Sequence, residues 1–296
     1  MMVREENTTM LRVPKLLLLA GLSLFSGPRF SLAAIQLPAP APECVRWASE
    51  DVTAALERAH VSPAAAQIIV NLDGPAELSP ESFQLQRQGG AVVIRGGDAV
   101  GAMYGLQELA EQIRNGGAHD RWSGVLRSLK DTTQHPWVEF RADNPFCQVK
   151  PLILNDAPMW KAYIDMLARS RFNVLDLHGG YDLQTTNFPN LYPLLVHVPD
   201  YPQVGKEAEQ ARNLADFKTI IEYAADRGVK VAFMNYAADA PGVPKEKLAD
   251  YTAKAVSILL RELPGLYMLG FRVGETGQKA SFFQDAYLKG VNDSGR

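Results

Sequence analysis

A glutamate near the end of the chain stands where a catalytic acid could act. The segment LGFRVGETG at 269–277 is an apolar run followed by Arg272 and then by Glu275 beside a glycine, which predicts a buried strand that opens into a loop. A carboxyl group kept protonated by apolar surroundings can donate a proton to a departing oxygen. Because glutamates are usually exposed, a solvated loop residue is the alternative interpretation of Glu275.

Charged residues share one side of two earlier predicted strands. Glu139 and Arg141 alternate with apolar residues in the first strand, and Asp176 and His178 alternate with leucines in the next. Outer helices would cover the apolar side, so the charged side would face inward, as in a closed barrel that becomes polar near a ligand site. An Arg141–Asp176 ion pair that only neutralises two buried charges is the equally weighted alternative.

The second half of the chain alternates strands and helices, which predicts parallel strands joined by right-handed crossovers in an α/β fold. Asn173, Gly228 and Gly265 are expected to end three of the helices in the left-handed conformation. The predicted strands are 137–142, 174–178, 229–235 and 266–273, and the predicted helices are 158–171, 211–227, 245–263 and one that begins near 279.

The first half groups its strands instead, which predicts a small α+β domain at 44–128. Gly89-Gly90 is typical of a hairpin turn, and Asp98 is placed to cap the last helix. The predicted elements are a helix at 50–60, strands at 67–72, 82–87 and 91–94, and a helix from Asp98 onward.

The N-terminus has the pattern of a secretory signal. Two basic residues precede the apolar run Leu16–Phe25, and small residues follow at 31–33. A membrane anchor is the alternative, but this run is about half of the roughly 20 apolar residues that a span requires. We therefore expect a signal peptide at 1–34, a proline-rich linker at 35–43, a secreted or periplasmic location, and no membrane association after cleavage.

Composition argues against several classes of partner. The formal charge of −3 offers no basic field for nucleic acid. The five histidines are scattered singly, so neither a metal site nor a cofactor site is expected. Cys44 and Cys147 allow one disulfide, although two buried free thiols are the favoured interpretation. The composition says nothing about the oligomeric state.

Four segments resemble secreted carbohydrate-active enzymes, namely the α-glucuronidases of glycoside hydrolase families 67 and 115 and the β-hexosaminidases of family 20. The segments are VVIRGGDAVGAMYGLQELAEQI, HPWVEFRADNPF, MWKAYIDMLARSRFNVLDLHGGYD and GFRVGETG. The resemblance spans about residues 45–290. It implies a small N-terminal domain followed at 129–296 by about four βα units of a (β/α)8 barrel, with an oligo- or polysaccharide as substrate.

The resemblance also implies a role for Glu275, which matches the acid at the end of the fourth barrel strand. Hexosaminidases have an Asp-Glu pair there, whereas a single glutamate is closer to α-glucuronidase usage and to an inverting mechanism with a second, distant carboxylate. A (β/α)8 barrel needs about 250 residues. We therefore expect a C-terminally truncated fragment whose second carboxylate lies beyond residue 296 and which hydrolyses little or nothing.

Residues at predicted strand ends could bind the saccharide. His178 could hydrogen-bond a hydroxyl, and Tyr181 or Tyr236 could stack on a pyranose face. Arg272 could bind a uronate carboxylate through paired hydrogen bonds or neutralise a buried acid. Packing is the alternative for the histidine and the tyrosines. The expected substrate-binding set is Arg141, Asp176, His178, Asn235, Tyr236 and Arg272.

Two hypotheses follow from these patterns. The first is a glycoside hydrolase fragment that uses Glu275 as its acid. The second is a noncatalytic exported protein that binds carbohydrate or serves as a scaffold.

Overall fold

The computed structural model describes residues 34–73, 77–135, 139–143, 154–178, 189–274 and 276–296. The predicted signal peptide up to residue 33, together with Cys147, Tyr181 and Glu275, lies outside these residues. Cys44 is buried with a free thiol, and burial raises its pKa above the ordinary value. Among the described helices, none combines the length and the apolar character needed to span a membrane.

The first layer is built on a mixed five-stranded sheet. Its strands are β1 (Ala34–Gln36), β2 (Gln67–Asn71), β3 (Phe83–Gln88), β4 (Ala91–Gly96) and β5 (Thr132–Gln134), and its helices are α1 (Glu43–Arg58), α2 (Ala99–Asn115) and α3 (Trp122–Ser128). The order is β1-β2-β4-β3-β5, with β1, β2 and β4 parallel and β3 antiparallel to both of its neighbours. The two residues between β3 and β4 form the predicted hairpin turn, where Gly89 has a φ of 60°.

Both ends of this sheet differ from the sequence prediction. Residues 35 and 36, expected in a linker, belong to β1 and pair with β2. Residues 132–134, expected in the barrel, form β5 and pair with β3. Strands of three residues carry too little periodicity to be recognised, and pairing across the sheet is what defines them.

Helix α1 begins at Glu43 rather than at residue 50. Pro42 precedes it and Glu43 lies in its first turn, and both residue types favour a helix start. The buried residues Val45, Ala48 and Val52 continue the apolar stripe toward the N-terminus. The prolines before this helix are therefore its start signal rather than the end of a linker.

Helix α2 is capped as predicted and lies very close to the sheet. The Asp98 carboxylate accepts hydrogen bonds from the backbone N–H groups of Gly101 at 2.7 Å and of Glu81 at 3.0 Å. A Cβ atom at Gly105 would stand 2.5 Å from a methyl group of Ile94 in β4. Only a glycine at this position allows such an approach.

The second layer is a four-stranded, fully parallel sheet in the order β6-β7-β8-β9. The strands are β6 (Arg141–Asp143), β7 (Val174–His178), β8 (Lys230–Asn235) and β9 (Met268–Phe271). The helices are α4 (Ala157–Arg169), α5 (Tyr192–Leu195), α6 (Glu207–Ala225), α7 (Leu248–Glu262), α8 (Ala280–Phe283) and α9 (Lys289–Ser294), with a π turn at Gln284–Leu288. The predicted alternation of strands and helices is confirmed, and β7 matches its prediction at both ends.

Only one of the three predicted left-handed helix ends is correct. Gly228 has a φ of 70°, whereas Asn173 and Gly265 do not have a positive φ. After α4 the left-handed residue is Arg171, with a φ of 61°. The side chain of Asn173 instead accepts a hydrogen bond from the backbone N–H of Phe140 at 2.7 Å, so this residue joins two strands rather than ending a helix.

Helix α1 contacts the second layer through stacked cations. The ring of Trp47 has the guanidinium carbons of Arg169 and Arg227 at 4.6 and 4.7 Å from its centroid. Arg169 also pairs with Asp51 of α1 at 3.0 Å, and Arg227 pairs with Asp165 at 2.8 Å. These contacts hold the N-terminal layer against the helices of the parallel sheet.

We expect Asp98→Ala to lower the free energy of unfolding by about 2 kcal/mol, since it removes a helix cap and leaves the Glu81 N–H without its acceptor. Asp98→Asn keeps the accepting oxygen and should lose much less. Urea denaturation of the two variants checks this expectation, and equal losses would contradict the capping role.

Candidate functional site

The strand register assigns each side chain of the parallel sheet to a face. Neighbouring residues in a parallel ladder point the same way, and faces alternate along each strand. On one face, Leu175, Leu177 and Phe233 are fully buried. The opposite face, here named the open face, carries Arg141, Asp143, Asp176, His178, Met234, Met268 and Gly270.

Arg141 is held between two carboxylates on the open face. Its Nη1 donates to Asp176 Oδ2 at 3.3 Å, while Nε and Nη2 donate to Glu139 Oε2 at 2.9 and 2.7 Å. The Arg141–Asp176 ion pair foreseen from the sequence is thus present. Because Glu139 makes the shorter contacts, Asp176 is the less tightly bound of the two carboxylates.

One oxygen of the Asp176 carboxylate is unpaired among the described residues. Its side chain is 17% exposed, and Oδ1 is buried without a hydrogen-bond partner among the described residues. Burial raises the pKa of this carboxyl above its ordinary value, although the charges of Arg141 and His178 oppose the shift. A carboxyl group with a raised pKa and a spare oxygen is suited to exchanging a hydrogen bond with a polar ligand.

Three predicted residues meet at the carboxyl ends of the strands. The ring of His178 lies 5.1 Å from that of Tyr236, and the Arg272 guanidinium carbon lies 5.3 Å from the same tyrosine ring. His178 is almost fully buried, with Nε2 3.7 Å from Asp143 Oδ1. The structure therefore joins an imidazole, an aromatic ring and a guanidinium at one edge of the open face.

Asn235 is not part of this group. It points to the buried face with 0% exposure. Its Oδ1 accepts from the Leu191 N–H at 2.9 Å, and its Nδ2 lies 2.8 Å from the Ala237 carbonyl oxygen and 3.0 Å from the Tyr287 hydroxyl. Substrate contact by Asn235 is thus incompatible with its position. The alternation that places Met234 on the open face places the next residue on the covered one.

Two further residues of the site, Asp143 and Met268, were not predicted from the sequence. Asp143 follows Arg141 by two residues and therefore shares its face, which strand periodicity alone could have indicated. Met268 lies 3.4 Å through its sulfur from Arg141 Nη2, and no pattern in the sequence announces this contact. Among the described residues, no cluster of three or more His, Cys, Asp and Glu side chains could hold a metal ion.

Glu275 lies outside the described residues, but its neighbours are described. Val273 is 51% exposed and Gly274 is exposed as well, so the chain leaves β9 toward solvent. Gly277 has a φ of 68°, a left-handed conformation that favours glycine. Gly274 and Gly277, on either side of Glu275, are thus exposed and follow the carboxyl end of β9.

Comparisons with known proteins give a consistent fold. No protein-family model matches the sequence. A GH138 enzyme targeting pectin rhamnogalacturonan II superposes with a TM-score of 0.68 at 19% identity, over 88% of this chain and 42% of that one. A mutant β-hexosaminidase of Streptomyces plicatus, in complex with GlcNAc, superposes with a TM-score of 0.57 at 15% identity, over 88% and 59% of the two chains. The fold is similar to that of glycoside hydrolases.

A curated relative agrees with these structures. The β-hexosaminidase subunit A1 of Dictyostelium discoideum is 26% identical over 155 residues, which are 51% of this chain and 26% of that protein. The chain spans about a quarter to three fifths of the lengths of these relatives. The expected α/β fold is confirmed in its broad form.

We expect Asn235→Ala to lower the free energy of unfolding by about 3 kcal/mol, because several buried hydrogen bonds are lost and a backbone donor is left unpaired. The exposed Asn292 provides a matched control, and Asn292→Ala should change stability by less than about 0.5 kcal/mol. Chemical denaturation measures both. Equal stability of the two variants would contradict the buried structural role.

The raised pKa of Asp176 predicts a pH-dependent stability. Between the ordinary aspartate pKa of about 3.9 and the raised value, the folded state binds more protons than the unfolded state. The contribution of Asp176 to the free energy of unfolding therefore falls as pH rises through this window. The Asp176→Asn variant does not titrate there. The free energy of unfolding of the variant minus that of the unsubstituted protein should therefore increase from pH 3.5 to pH 7 in urea denaturation. A decrease would show that ion pairing dominates over burial.

Proposed function

We propose that this chain is a glycoside hydrolase-like protein that binds an oligo- or polysaccharide on the open face and at the carboxyl ends of its strands. The observation that carries the proposal is the Asp176 carboxyl, which is largely buried beside Arg141 and has a spare oxygen. The similarity of the fold to glycoside hydrolases supports the substrate class.

The side chains offer the contacts that a sugar requires. The Asp176 carboxyl group can accept a hydrogen bond from a sugar hydroxyl, or donate one to it when protonated. Arg141 can donate hydrogen bonds to neighbouring sugar oxygens. Tyr236 provides an aromatic surface beside the cation of Arg272. Since a guanidinium pairs well with a carboxylate, Arg272 favours an acidic sugar, in agreement with the α-glucuronidase resemblance.

Glu275 is the proposed general acid. It follows Phe271, the last residue of β9, by four positions and Arg272 by three. Active sites on parallel strands gather at the carboxyl ends, where loops bring acids and bases together. In an inverting mechanism this acid protonates the departing oxygen while a second carboxylate activates water.

The domain organisation and the location are parts of the same proposal. The parallel sheet corresponds to the first four βα units of a (β/α)8 barrel, and the mixed sheet corresponds to the preceding small domain. The pattern at 1–34 supports export.

Glu275→Gln tests the acid role. In a form of the protein that carries both catalytic carboxylates, we expect turnover of a glycoside with a poor leaving group to fall by about 10²- to 10⁴-fold, the typical contribution of a general acid, with a much smaller effect on a dinitrophenyl glycoside that needs no protonation. Glu262→Gln makes the same chemical change on the exposed end of α7 and should leave both rates unchanged. Equal rates for Glu275→Gln and the unsubstituted protein in that form would exclude the acid role.

A binding experiment separates the enzyme from the noncatalytic alternative. Titration calorimetry with neutral and uronate-containing oligosaccharides should show binding that Asp176→Asn and Tyr236→Ala weaken. Binding without turnover by a form that carries both carboxylates would favour a carbohydrate-binding protein. The absence of binding would overturn the proposed site.

A further inference from the structure

Glu81 is a buried acid of the first layer whose side chain reaches the second layer. Its side chain is 11% exposed, its φ is 65°, and its backbone N–H donates to the Asp98 cap. A positive φ in a residue other than glycine and a buried charge both oppose folding. Because both costs occur at Glu81, the contacts of its side chain are expected to offset them.

One oxygen of Glu81 is linked through Asn173 to the backbone just before β6. Asn173 Nδ2 donates to Glu81 Oε2 at 2.8 Å, and Asn173 Oδ1 accepts from the Phe140 N–H at 2.7 Å. Phe140 lies between Glu139 and Arg141 in the sequence. The contact therefore fixes the main chain from which both side chains project.

The other oxygen is linked to the side chain of Glu139. Lys230 Nζ lies 2.6 Å from Glu81 Oε1 and 5.4 Å from the centroid of the Tyr267 ring. The Tyr267 hydroxyl donates to Glu139 Oε1 at 2.8 Å. Glu139 Oε2 then accepts both contacts from Arg141.

We infer that Glu81 is a positioning residue through which the first layer orients the Arg141 guanidinium on the open face. Each oxygen of Glu139 is engaged by a different partner, so its carboxylate has one orientation available to it. Arg141 loses much rotamer freedom when it is held, and two hydrogen bonds to the fixed Oε2 of Glu139 offset that loss. The guanidinium is then already oriented for its third hydrogen bond, to Asp176.

Other contacts between the layers lack this connection. Glu108 of α2 pairs with Arg171 at 2.5 Å, and their side chains are 18% and 20% exposed. This pair crosses the same boundary with similar burial, and within the described residues its other side-chain hydrogen bonds lead to Gln112 and Gln134 rather than to Arg141. Glu108 is therefore a matched control for Glu81.

The inference rests on the proposed function only in treating the open face as a saccharide site. The experiment measures the Arg141 side chain and needs no saccharide. In the full chain labelled with ¹⁵N-arginine, the exchange of the Arg141 Nε–H with water is measured by NMR. Glu81→Ala should accelerate this exchange about fivefold, the factor expected for losing one net hydrogen bond. Tyr267→Phe should do the same while preserving the fold, since Tyr267 is 46% exposed and only its hydroxyl is removed.

Glu108→Ala should lower the thermal midpoint as Glu81→Ala does, but leave the Arg141 exchange rate unchanged. Unaltered exchange in Tyr267→Phe, or equal acceleration in Glu108→Ala, would overturn the inference. If Glu81→Ala does not fold, Tyr267→Phe and Glu108→Ala still decide the question. A faster exchange in a chain that binds no saccharide would support the positioning role while refuting the proposed function.

Discussion

The alternation of side chains along the parallel strands is the constraint on which the candidate site depends. Helices cover one face of the second sheet, so apolar side chains such as Leu175, Leu177 and Phe233 are committed to that face. Every second residue is then directed to the other side. Arg141, Asp176 and His178 share the open face for this reason, and Asn235 is excluded from it for the same reason.

The boundary between the two layers combines stacking with charge pairing. The Trp47 ring contacts two guanidinium groups, and each of those arginines has its own carboxylate partner. At Gly228 an added Cβ would stand 2.8 Å from Val100, so the turn after α6 packs closely against α2. A boundary with these contacts can transmit the orientation of a side chain from one sheet to the next, as inferred for Glu81.

Glu139 and Asp176 contact Arg141 at different distances, and this difference determines the electrostatics of the open face. Glu139 makes the two shorter contacts and is held in its charged form, and the Arg141 contacts lower its pKa below the ordinary value. Asp176 receives a longer contact and is more buried, so burial prevails and its pKa rises. The pKa values of the two carboxyl groups beside one cation are thus shifted in opposite directions, and the one with the unpaired oxygen is the better candidate for ligand binding.

Local pattern in the sequence determined the element types, the hairpin at Gly89-Gly90, the Asp98 cap, and the faces of β7, because propensity, capping and periodicity act between residues near in the chain. Contacts between distant segments were decided only by the tertiary structure. The short strands β1 and β5 exist because they pair with β2 and β3, and Asn173 lacks the predicted left-handed backbone where its side chain bridges Phe140 and Glu81. The clustering of His178, Tyr236 and Arg272 likewise required three strand ends to meet. Such contacts depend on how elements pack across many intervening residues, which a one-dimensional pattern does not encode.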